Sequence, residues 1–269
     1  MTRHLRIIEF ALMSLWRRKF KNLSIGVLYV LMVFMVSSVV FFSESFKKEA
    51  LLLLKDCPEL IVQRTKAGRH ALVPEDYIKT IQKMPGVGKV IPRVWGYYYD
   101  PLTEANYTVL GTGGLMKDTL VQLEGRLPER DNEVAVGYGV AYLRFLELGS
   151  EIVLQTETGQ PETFKVVGIF KRASQLLTNE LILMTDRAVR EFFGIPEGLS
   201  TDIYVEVYNP QEVQTIAKKI KKLLPQSRPI TRQEVKSTYE SVFSWRSGLL
   251  LAVLLGALMG FFLLAWDRA

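Results

Sequence analysis

An uncharged apolar stretch near the N-terminus, residues 25–42 (IGVLYVLMVFMVSSVVFF), constrains the fold of this chain more than any other feature. A helix rises about 1.5 Å per residue, so this stretch reaches roughly 27 Å, close to the thickness of a bilayer's hydrocarbon core. A similar stretch, residues 248–266 (GLLLAVLLGALMGFFLLAW), lies near the other end. We therefore predict transmembrane helices over residues 25–45 and 248–266, with a folded extracytoplasmic region between them.

The residues before the first apolar stretch are basic and amphipathic. Apolar residues recur at helical spacing over residues 3–22, which is typical of a helix lying on a membrane surface, predicted here over residues 1–24. A solvated basic tail and a cleaved signal peptide are the alternatives, but the apolar stretch is longer than the core of a signal peptide. Four basic residues predict a cytoplasmic N-terminus that contacts lipid and not nucleic acid: Arg17, Arg18, Lys19 and Lys21.

Cysteine and histidine content excludes several kinds of site. The chain has one cysteine, Cys57, and two histidines, His4 and His70, far apart in the sequence. A single cysteine cannot form an intramolecular disulfide, and this set does not make a cysteine or histidine zinc site. The glycine-rich residues 111–114 are not followed by the Gly-Lys-Ser/Thr of a phosphate-binding loop, so we interpret them as a turn between strands.

No catalytic grouping stands out in the sequence. Asp131 and Glu133 are close acids, but they can simply flank a turn and a strand. We find no serine or cysteine nucleophile paired with a histidine in a recognisable motif. The sequence therefore predicts a protein that is not an enzyme, with no catalytic residues, no cofactor and no metal ion.

The region between the apolar stretches alternates strand and helix patterns. Predicted strands cover residues 60–62, 90–99, 107–110, 133–136, 151–154, 164–170, 181–184, 202–208 and 229–230. Predicted helices cover residues 74–84 and 186–193, and a third helix starts at Asn209 and Pro210. The third helix has a predicted buried stripe: Val213, Ile216, Ala217, Ile220, Leu223 and Leu224.

The order of these elements predicts two lobes. The outer parts spell β-α-β-β and later β-α-β, for which the split βαβ layout of ferredoxin-like folds is one economical packing. The part between them is mostly β. We therefore predict an α+β membrane protein whose extracytoplasmic α/β lobe, residues 56–116 and 201–230, contains an inserted mostly-β lobe, residues 117–200.

Stalk helices are predicted to join these lobes to the membrane. The first transmembrane helix continues to about residue 55, and residues 231–247 form a helix that runs into the second one. Thr231 and Glu234 are spaced as a capping box at its start. Within the second apolar stretch three small residues recur at every fourth position and predict a face for close helix packing: Ala252, Gly256 and Gly260.

An ordered series of motifs resembles the MacB/LolC/FtsX-type ABC transporter permeases, with their MacB-like periplasmic core domain. The series is LEGRLP (residues 123–128), NEVAVG (132–137), LGSEI (148–152) and FKVVGIF (164–170). Residues 85–87 (PGV) and 90–93 (VIPR) are similar to an earlier segment of such proteins. The resemblance covers essentially the whole chain.

This resemblance implies a non-catalytic permease subunit in a bacterial inner membrane, multi-pass, with its large domain periplasmic or extracellular. It implies two partners, an ABC-type ATPase subunit and a second permease chain, and motion of the outer domain that exports or extracts a lipid, lipoprotein or peptide. Family members continue with two more membrane helices, so we expect a fragment or one part of a split permease. A two-span sensor with an extracytoplasmic ligand-binding domain and a membrane-anchored hydrolase are the alternatives.

Overall fold

A computed structural model describes residues 10, 13, 16–17, 19–53, 58–114, 123–171 and 178–267 of the chain. The chain divides into two units. One comprises Met1–Glu49 and Thr238–Ala269, and the other comprises Ala50–Ser237.

The first unit begins with helix α1 (Lys19–Leu53), which contains the predicted N-terminal apolar helix. Within the described residues, Asn22–Ser45 is the segment long and apolar enough to cross a membrane. Its large side chains, such as Val30, Phe34 and Phe41, are exposed in the structure, as contact with lipid would require. The helix continues beyond this apolar segment to Leu53.

The basic residues before this helix are described in part. Arg17 and Lys19 are exposed, and the Lys19 ammonium lies 5.7 Å from the Trp16 ring centroid and 5.4 Å from that of Phe20. Arg18, the Lys21 side chain and most of the predicted surface helix over residues 1–24 lie outside the described residues. Their role in topology therefore stays a prediction.

The second unit contains two sheets and a short two-stranded pair. Its strands are β1 (Leu60–Lys66), β2 (Arg69–Ala71), β3 (Val73–Pro74), β4 (Val87–Arg93), β5 (Trp95–Asp100), β6 (Ala105–Gly111), β7 (Leu123–Gly125), β8 (Glu133–Val136), β9 (Glu151–Gln155), β10 (Pro161–Phe170), β11 (Leu181–Met184), β12 (Leu199–Ser200), β13 (Asp202–Val207) and β14 (Ser227–Thr231). Its helices are α2 (Asp76–Gln82), α3 (Tyr138–Arg144), α4 (Asp186–Phe192) and α5 (Val213–Leu223), followed by the start of α6 (Arg232–Asp267).

The first sheet is antiparallel and has the order β14-β1-β13-β4, with β2 paired to β1. Alternate residues of β1 and β13 face a core that also contains one side of α2 and α5. The apolar stripe of α5 explains this packing, because Val213, Ile216 and Ile220 recur at helical spacing and all are buried. We call residues 58–93 and 202–231 the first lobe.

The second sheet is mixed and has the order β5-β6-β11-β8-β10-β7, with β9 paired to β10. The pairs β6–β11 and β8–β10 are parallel, and the others are antiparallel. The central strands β8 and β11 are buried at every position; β11 is wholly apolar, and β8 is apolar apart from Glu133, whose carboxylate is paired with Arg126. We call residues 94–201 the second lobe.

Helix α6 begins directly after β14, with no linker between them. The amide of Glu234 donates to the Thr231 hydroxyl (3.1 Å), so the predicted cap by Thr231 is confirmed. Within α6 the described apolar segment is Gly248–Gly260, which is shorter than the predicted span over residues 248–266.

Three predictions about this unit are wrong. The strand predicted over residues 90–99 is two strands in different sheets, because the chain leaves the first sheet at Val94. Leu223 was predicted to be buried on α5, but it lies on the outer side of the last turn and is exposed. The predicted helix over residues 74–84 begins at Asp76, since Pro74 pairs with Leu199 in the β3–β12 pair.

The sheets also divide the chain at a different place from the predicted boundary between residues 116 and 117. Strands β5 and β6 precede that boundary, yet both lie in the second sheet, since β6 pairs with β11 in parallel. The predicted boundary therefore assigns them to the wrong sheet.

Candidate functional site

The chain passes between the two lobes beside a buried ion pair. Arg93 ends β4 and Asp202 begins β13, and the two residues are direct partners in the antiparallel register. Both Arg93 nitrogens that face the carboxylate, Nε and Nη2, donate to Asp202 at 2.7 Å. The Asp202 side chain is 1% exposed, so this bidentate pair is shielded from water.

The same carboxylate receives a donor from the second lobe. Trp95, the first residue of β5, donates from its indole Nε1 to Asp202 at 3.0 Å. The Thr201 hydroxyl accepts from the Trp95 amide (3.0 Å) and donates to the Trp95 carbonyl (2.8 Å). The Arg93 guanidinium also stacks on Tyr204, 3.4 Å from the ring centroid. We call this cluster the lobe junction.

A second set of contacts joins the lobes through Glu75, the residue before α2. Its carboxylate accepts from Arg190 of α4 (2.6 Å) and from the Ser200 hydroxyl (2.7 Å). Arg190 also donates to the Leu199 carbonyl at 2.5 Å. These contacts surround the β3–β12 pair, so one short strand of each lobe is held in place by a network of charged hydrogen bonds.

The glycine-rich residues 111–114 form a turn that belongs to this junction. The Gly111 amide donates to the Val94 carbonyl (2.9 Å), and the Gly113 amide donates to Asp186 (2.9 Å). A side chain at Gly114 would place its Cβ 2.6 Å from the Arg93 side chain, so glycine permits the close approach. Gly111 ends β6 and Thr112–Gly114 form one turn of 3-10 helix, so these residues turn the chain after a strand, and the Gly113 amide is bonded to a carboxylate.

The arginine of the LEGRLP motif and the glutamate of the NEVAVG motif form an ion pair inside the second lobe. Arg126 donates to both oxygens of Glu133, at 2.8 Å and 2.5 Å. The Glu133 carboxylate also accepts from the amides of Glu129 (3.1 Å) and Arg130 (3.3 Å). The Arg126 hydrogen bonds, helped by these amides, lower the pKa of Glu133 to about 2. We call this cluster the motif clamp.

Gly125 allows the backbone conformation that the motif clamp requires. Its φ of +88° lies in the region that favours glycine, and an added Cβ would collide with the Val167 carbonyl of β10. The Arg126 amide donates to that same carbonyl at 3.0 Å. The motif residues thus hold two strands together, and their charged groups contact each other.

The other acidic residue noted in the sequence, Asp131, has its own partners. It accepts from the Thr185 hydroxyl (2.5 Å), and the Arg187 guanidinium lies 3.5 Å away. Asp131 and Glu133 therefore do not share a proton or a ligand in this structure. Among the described residues, no group of three or more His, Cys, Asp and Glu side chains could hold a metal ion.

A further ion pair lies where the chain enters β1 of the first lobe and leaves β14. Arg232 donates to Glu59 at 2.9 Å, and its amide donates to the Glu59 carbonyl at 3.0 Å. Glu59 directly precedes β1, and Arg232 is the first residue of α6. This base clamp ties the first strand of the domain to the first turn of the long helix.

The predicted packing residues of α6 are exposed in the chain. Ala252, Gly256 and Gly260 have exposed positions, and a Cβ at either glycine would have no described atom within 4 Å. The structure therefore does not bring these three residues against another helix, and their packing role stays a prediction.

Sequence reasoning missed most members of the lobe junction and the base clamp. Arg93 was noted only as part of the VIPR motif, and Glu59 and Asp202 carried no recognised pattern. Asp202 is 109 residues from its partner Arg93, so the pairing depends on strand register. The one usable signal was an acidic residue at the first position of a predicted buried strand, where a carboxylate needs a partner.

The chain matches the model of a known protein family. The model of the MacB-like periplasmic core domain matches residues 23–223. No curated protein matches the chain.

Solved structures that resemble the chain include three bacterial domains. The extracellular domain of the noncanonic ABC-type transporter YknZ from Gram-positive bacteria is 14% identical, with a TM-score of 0.45, covering 64% of this chain and 99% of that one. The periplasmic region of MacB from Actinobacillus actinomycetemcomitans is 14% identical, with a TM-score of 0.48, covering 67% and 92%. A domain of a putative permease protein from Porphyromonas gingivalis is 11% identical, with a TM-score of 0.34, covering 63% and 85%.

Proposed function

The chain belongs to the MacB-like periplasmic core domain family of ABC transporter permeases, and we propose that it couples ATP hydrolysis by a partner to motion of its extracytoplasmic domain. Membership makes it a membrane-anchored protein with an extracytoplasmic domain of mixed α/β fold. In this proposal the chain is a non-catalytic permease subunit of a bacterial inner membrane. The family does not favour the alternative of a two-span sensor.

The observation that carries the coupling proposal is the direct passage of β14 into α6. A strand of the first sheet becomes a 36-residue helix without an intervening loop, and Thr231 caps the helix at the point of change. The base clamp fixes this first turn to the start of β1. A helix attached in this way can pass a rotation or displacement to the domain, because no flexible segment absorbs it.

The contacts between the lobes support motion of the domain as one body. The lobe junction and the Glu75 network each contain buried or half-buried charged hydrogen bonds, which are costly to break. We propose that a domain joined in this way moves as one body when α6 rotates or shifts, and does not bend between its lobes.

We propose that the first lobe is a split ferredoxin-like unit into which the second lobe is inserted. Its strands occur in the order β1, β4, β13 and β14 along the chain, with α2 and α5 between the members of each half. Their spatial order β14-β1-β13-β4 and antiparallel pairing support this layout. The division of the sheets favours an inserted lobe over residues 94–201 in place of the predicted 117–200.

The membrane part of the proposal rests on sequence. Residues 25–45 and 248–266 are its two transmembrane helices, with stalks to about residue 55 and over residues 231–247. The N-terminus is cytoplasmic, with residues 1–24 on the membrane surface. Ala252, Gly256 and Gly260 are proposed to face a second permease chain, since small residues allow close helix approach. The cargo is proposed to be a lipid, lipoprotein or peptide.

The coupling can be tested by interrupting α6 at its start. A flexible Gly-Ser segment inserted between Thr231 and Arg232 would separate the helix from the domain, and the same insertion between Ala67 and Gly68, in the exposed β1–β2 turn, is the control. The readout is a fluorescent label on Glu162→Cys in a Cys57→Ser chain, purified from native membranes.

We expect the unmodified chain and the Ala67 control to co-purify with an ATPase and to show an ATP-dependent change in label fluorescence. The insertion at Thr231 should retain the ATPase and lose the fluorescence change. Failure of every version to recover an ATPase would reject the permease assignment. A fluorescence change that survives the insertion would reject coupling through α6.

A further inference from the structure

Helix α3 ends with an aromatic residue in a backbone conformation that favours glycine. Phe145 has φ +53° and ψ +45°. Its amide donates to the Tyr142 carbonyl (3.4 Å), and the next amide, of Leu146, donates to the Ala141 carbonyl (2.8 Å). This is the hydrogen-bond pattern of a Schellman cap, whose left-handed position is most often glycine because a Cβ there costs free energy.

Among the described residues, no packing of the Phe145 side chain compensates for this cost. It is 92% exposed, whereas its neighbour Leu146 packs against the core of the second lobe. A strained backbone and an exposed large apolar side chain at the same position both cost stability. Glycine at this position would remove both costs, so the phenylalanine needs an explanation outside the folding of this chain.

Phe145 borders an open apolar groove of about 410 Å³. The apolar side chains that line it come from the β5–β6 turn, the end of α3 and strand β9: Leu102, Leu143, Phe145, Leu146, Ile152 and Val153. Leu102 is 78% exposed, and Leu143 and Val153 are each about half exposed. The groove thus presents several large apolar side chains to solvent in one place.

The charges around this groove indicate the chemistry of its partner. Glu151 lines the groove, and Glu147 follows the lining residue Leu146 in the chain; both are exposed, and Lys165 lies opposite Glu151 in the β9–β10 register. Arg144 lines the groove, but its guanidinium donates to the Val153 carbonyl (2.7 Å) and lies 3.6 Å from Asp100, so it is already engaged.

The second lobe as a whole carries a net negative charge. It contains nine Lys and Arg residues against fifteen Asp and Glu, a formal charge of −6. The first lobe contains twelve against six, a formal charge of +6. The groove therefore lies on the acidic lobe, and a partner with basic residues beside an apolar side chain complements it.

We propose that this groove binds an extracytoplasmic protein, which inserts an apolar side chain flanked by basic residues against Phe145. The negative charge of the lobe disfavours anionic lipid head groups, and it disfavours a second copy of the same lobe, since two acidic surfaces would meet. The proposal takes only its extracytoplasmic location from the family and does not depend on coupling to ATP hydrolysis.

Peptide binding to the full chain in nanodiscs of phosphatidylcholine tests this proposal. The probe is a synthetic fluorescent peptide with a Leu and Phe centre between lysines, compared with one whose flanks are glutamates and one whose centre is serines. We expect the lysine-flanked apolar peptide alone to bind, and Phe145→Gly to weaken it by about tenfold or more. Leu102→Ser should also weaken it, and Glu147→Gln with Glu151→Gln should weaken it and reduce its salt dependence.

Stability measurements distinguish recognition from folding. Phe145→Gly should keep or raise the Tm, because it relieves the backbone without removing a packed side chain. Ala67→Gly, at another left-handed position (φ +50°) in the first lobe, is the control and should leave peptide affinity unchanged.

Four results would overturn the proposal. They are equal binding of the lysine and glutamate peptides, unchanged affinity on Phe145→Gly, binding of the peptide-free chain to phosphatidylglycerol vesicles that Phe145→Gly abolishes, and a dimer of the chain that Phe145→Gly dissociates. The last two would assign the groove to lipid or to a second copy. A Tm that falls on Phe145→Gly would assign Phe145 to the fold.

Discussion

The second unit contains two arginine–carboxylate pairs with the same bidentate chemistry and different surroundings. Arg93 and Asp202 come from residues 109 apart in the sequence, and both side chains are largely shielded, at 13% and 1% exposed. Arg126 and Glu133 are seven residues apart, and the Arg126 side chain is 47% exposed. The distant pair joins two strands of the first lobe, and its carboxylate also accepts from Trp95 of the second lobe, whereas the near pair closes a loop within the second lobe.

Because the two pairs differ in burial, we expect them to contribute differently to the stability of the chain. A shielded pair is costly to break, because the remaining partner keeps its charge away from water. In the second pair Glu133 is buried but Arg126 is half exposed, so water reaches the Arg126 guanidinium and can replace part of the lost contact. We therefore expect the lobe junction to control the stability of the whole domain, and the motif clamp to control the local geometry of the second sheet.

The largest expected effect is the loss of the Asp202 carboxylate. Asp202→Ala leaves the Arg93 guanidinium and the Trp95 indole without their acceptor, and we expect a loss of about 3–5 kcal/mol in the free energy of unfolding. Urea unfolding of the full chain in detergent measures this loss. Asp76→Ala is the matched control, since it removes an ion pair with Lys79 in which both side chains are at least 80% exposed.

The control should change the free energy of unfolding by less than about 0.5 kcal/mol. If Asp202→Ala lowers the free energy of unfolding no more than Asp76→Ala does, a buried ion pair stabilises the chain no more than an exposed one. The comparison between the lobe junction and the motif clamp would then have no energetic basis.

A smaller effect is expected from the backbone of the motif clamp. Gly125→Ala would need a side chain at φ +88° and would place it against the Val167 carbonyl. Gly149→Ala is the matched control, because its φ is +89° and no atom lies within 4 Å of the added Cβ. We expect the control to lose about 1 kcal/mol from backbone strain and Gly125→Ala to lose about 1–3 kcal/mol more.

Urea unfolding of both variants measures that difference. Equal losses in the two variants would show that the close approach to β10 adds nothing. The motif clamp would then depend on its ion pair alone.

The elements that sequence predicts best are those whose pattern is complete within a few residues. Strands β8 and β11 were predicted at their observed bounds, because each has a short run of apolar residues between turn residues. Helix α3 was missed, because it begins after Gly137 with no proline or polar capping side chain to mark its start. The strand predicted over residues 90–99 joined two strands, because Val94 continues the apolar alternation through the point where the chain changes sheets.

The residues of the candidate site were likewise predicted best where their pattern is local. The residues of the motif clamp lie within a recognisable series, so Arg126 and Glu133 could be noted before their contact was known. The lobe junction required the register of β4 with β13, which no local pattern gives. Phe145 was also missed, because its left-handed backbone and exposure become apparent only in three dimensions.

The smallest expected effect is the pH dependence of the motif clamp. The pKa of Glu133 in the folded chain is about 2, below its ordinary value of 4.5, because Arg126 hydrogen-bonds the charged form. A lowered folded pKa stabilises the fold above the unfolded pKa, and this contribution is lost as the pH falls from about 4.5 towards 2. Glu133→Gln removes the charge at every pH, so its Tm should be lower than that of the unmodified chain at pH 6 and approach it near pH 2. The Tm of both chains, measured between pH 2 and pH 6, tests this, and a constant difference over that range would show that the Glu133 charge does not stabilise the clamp.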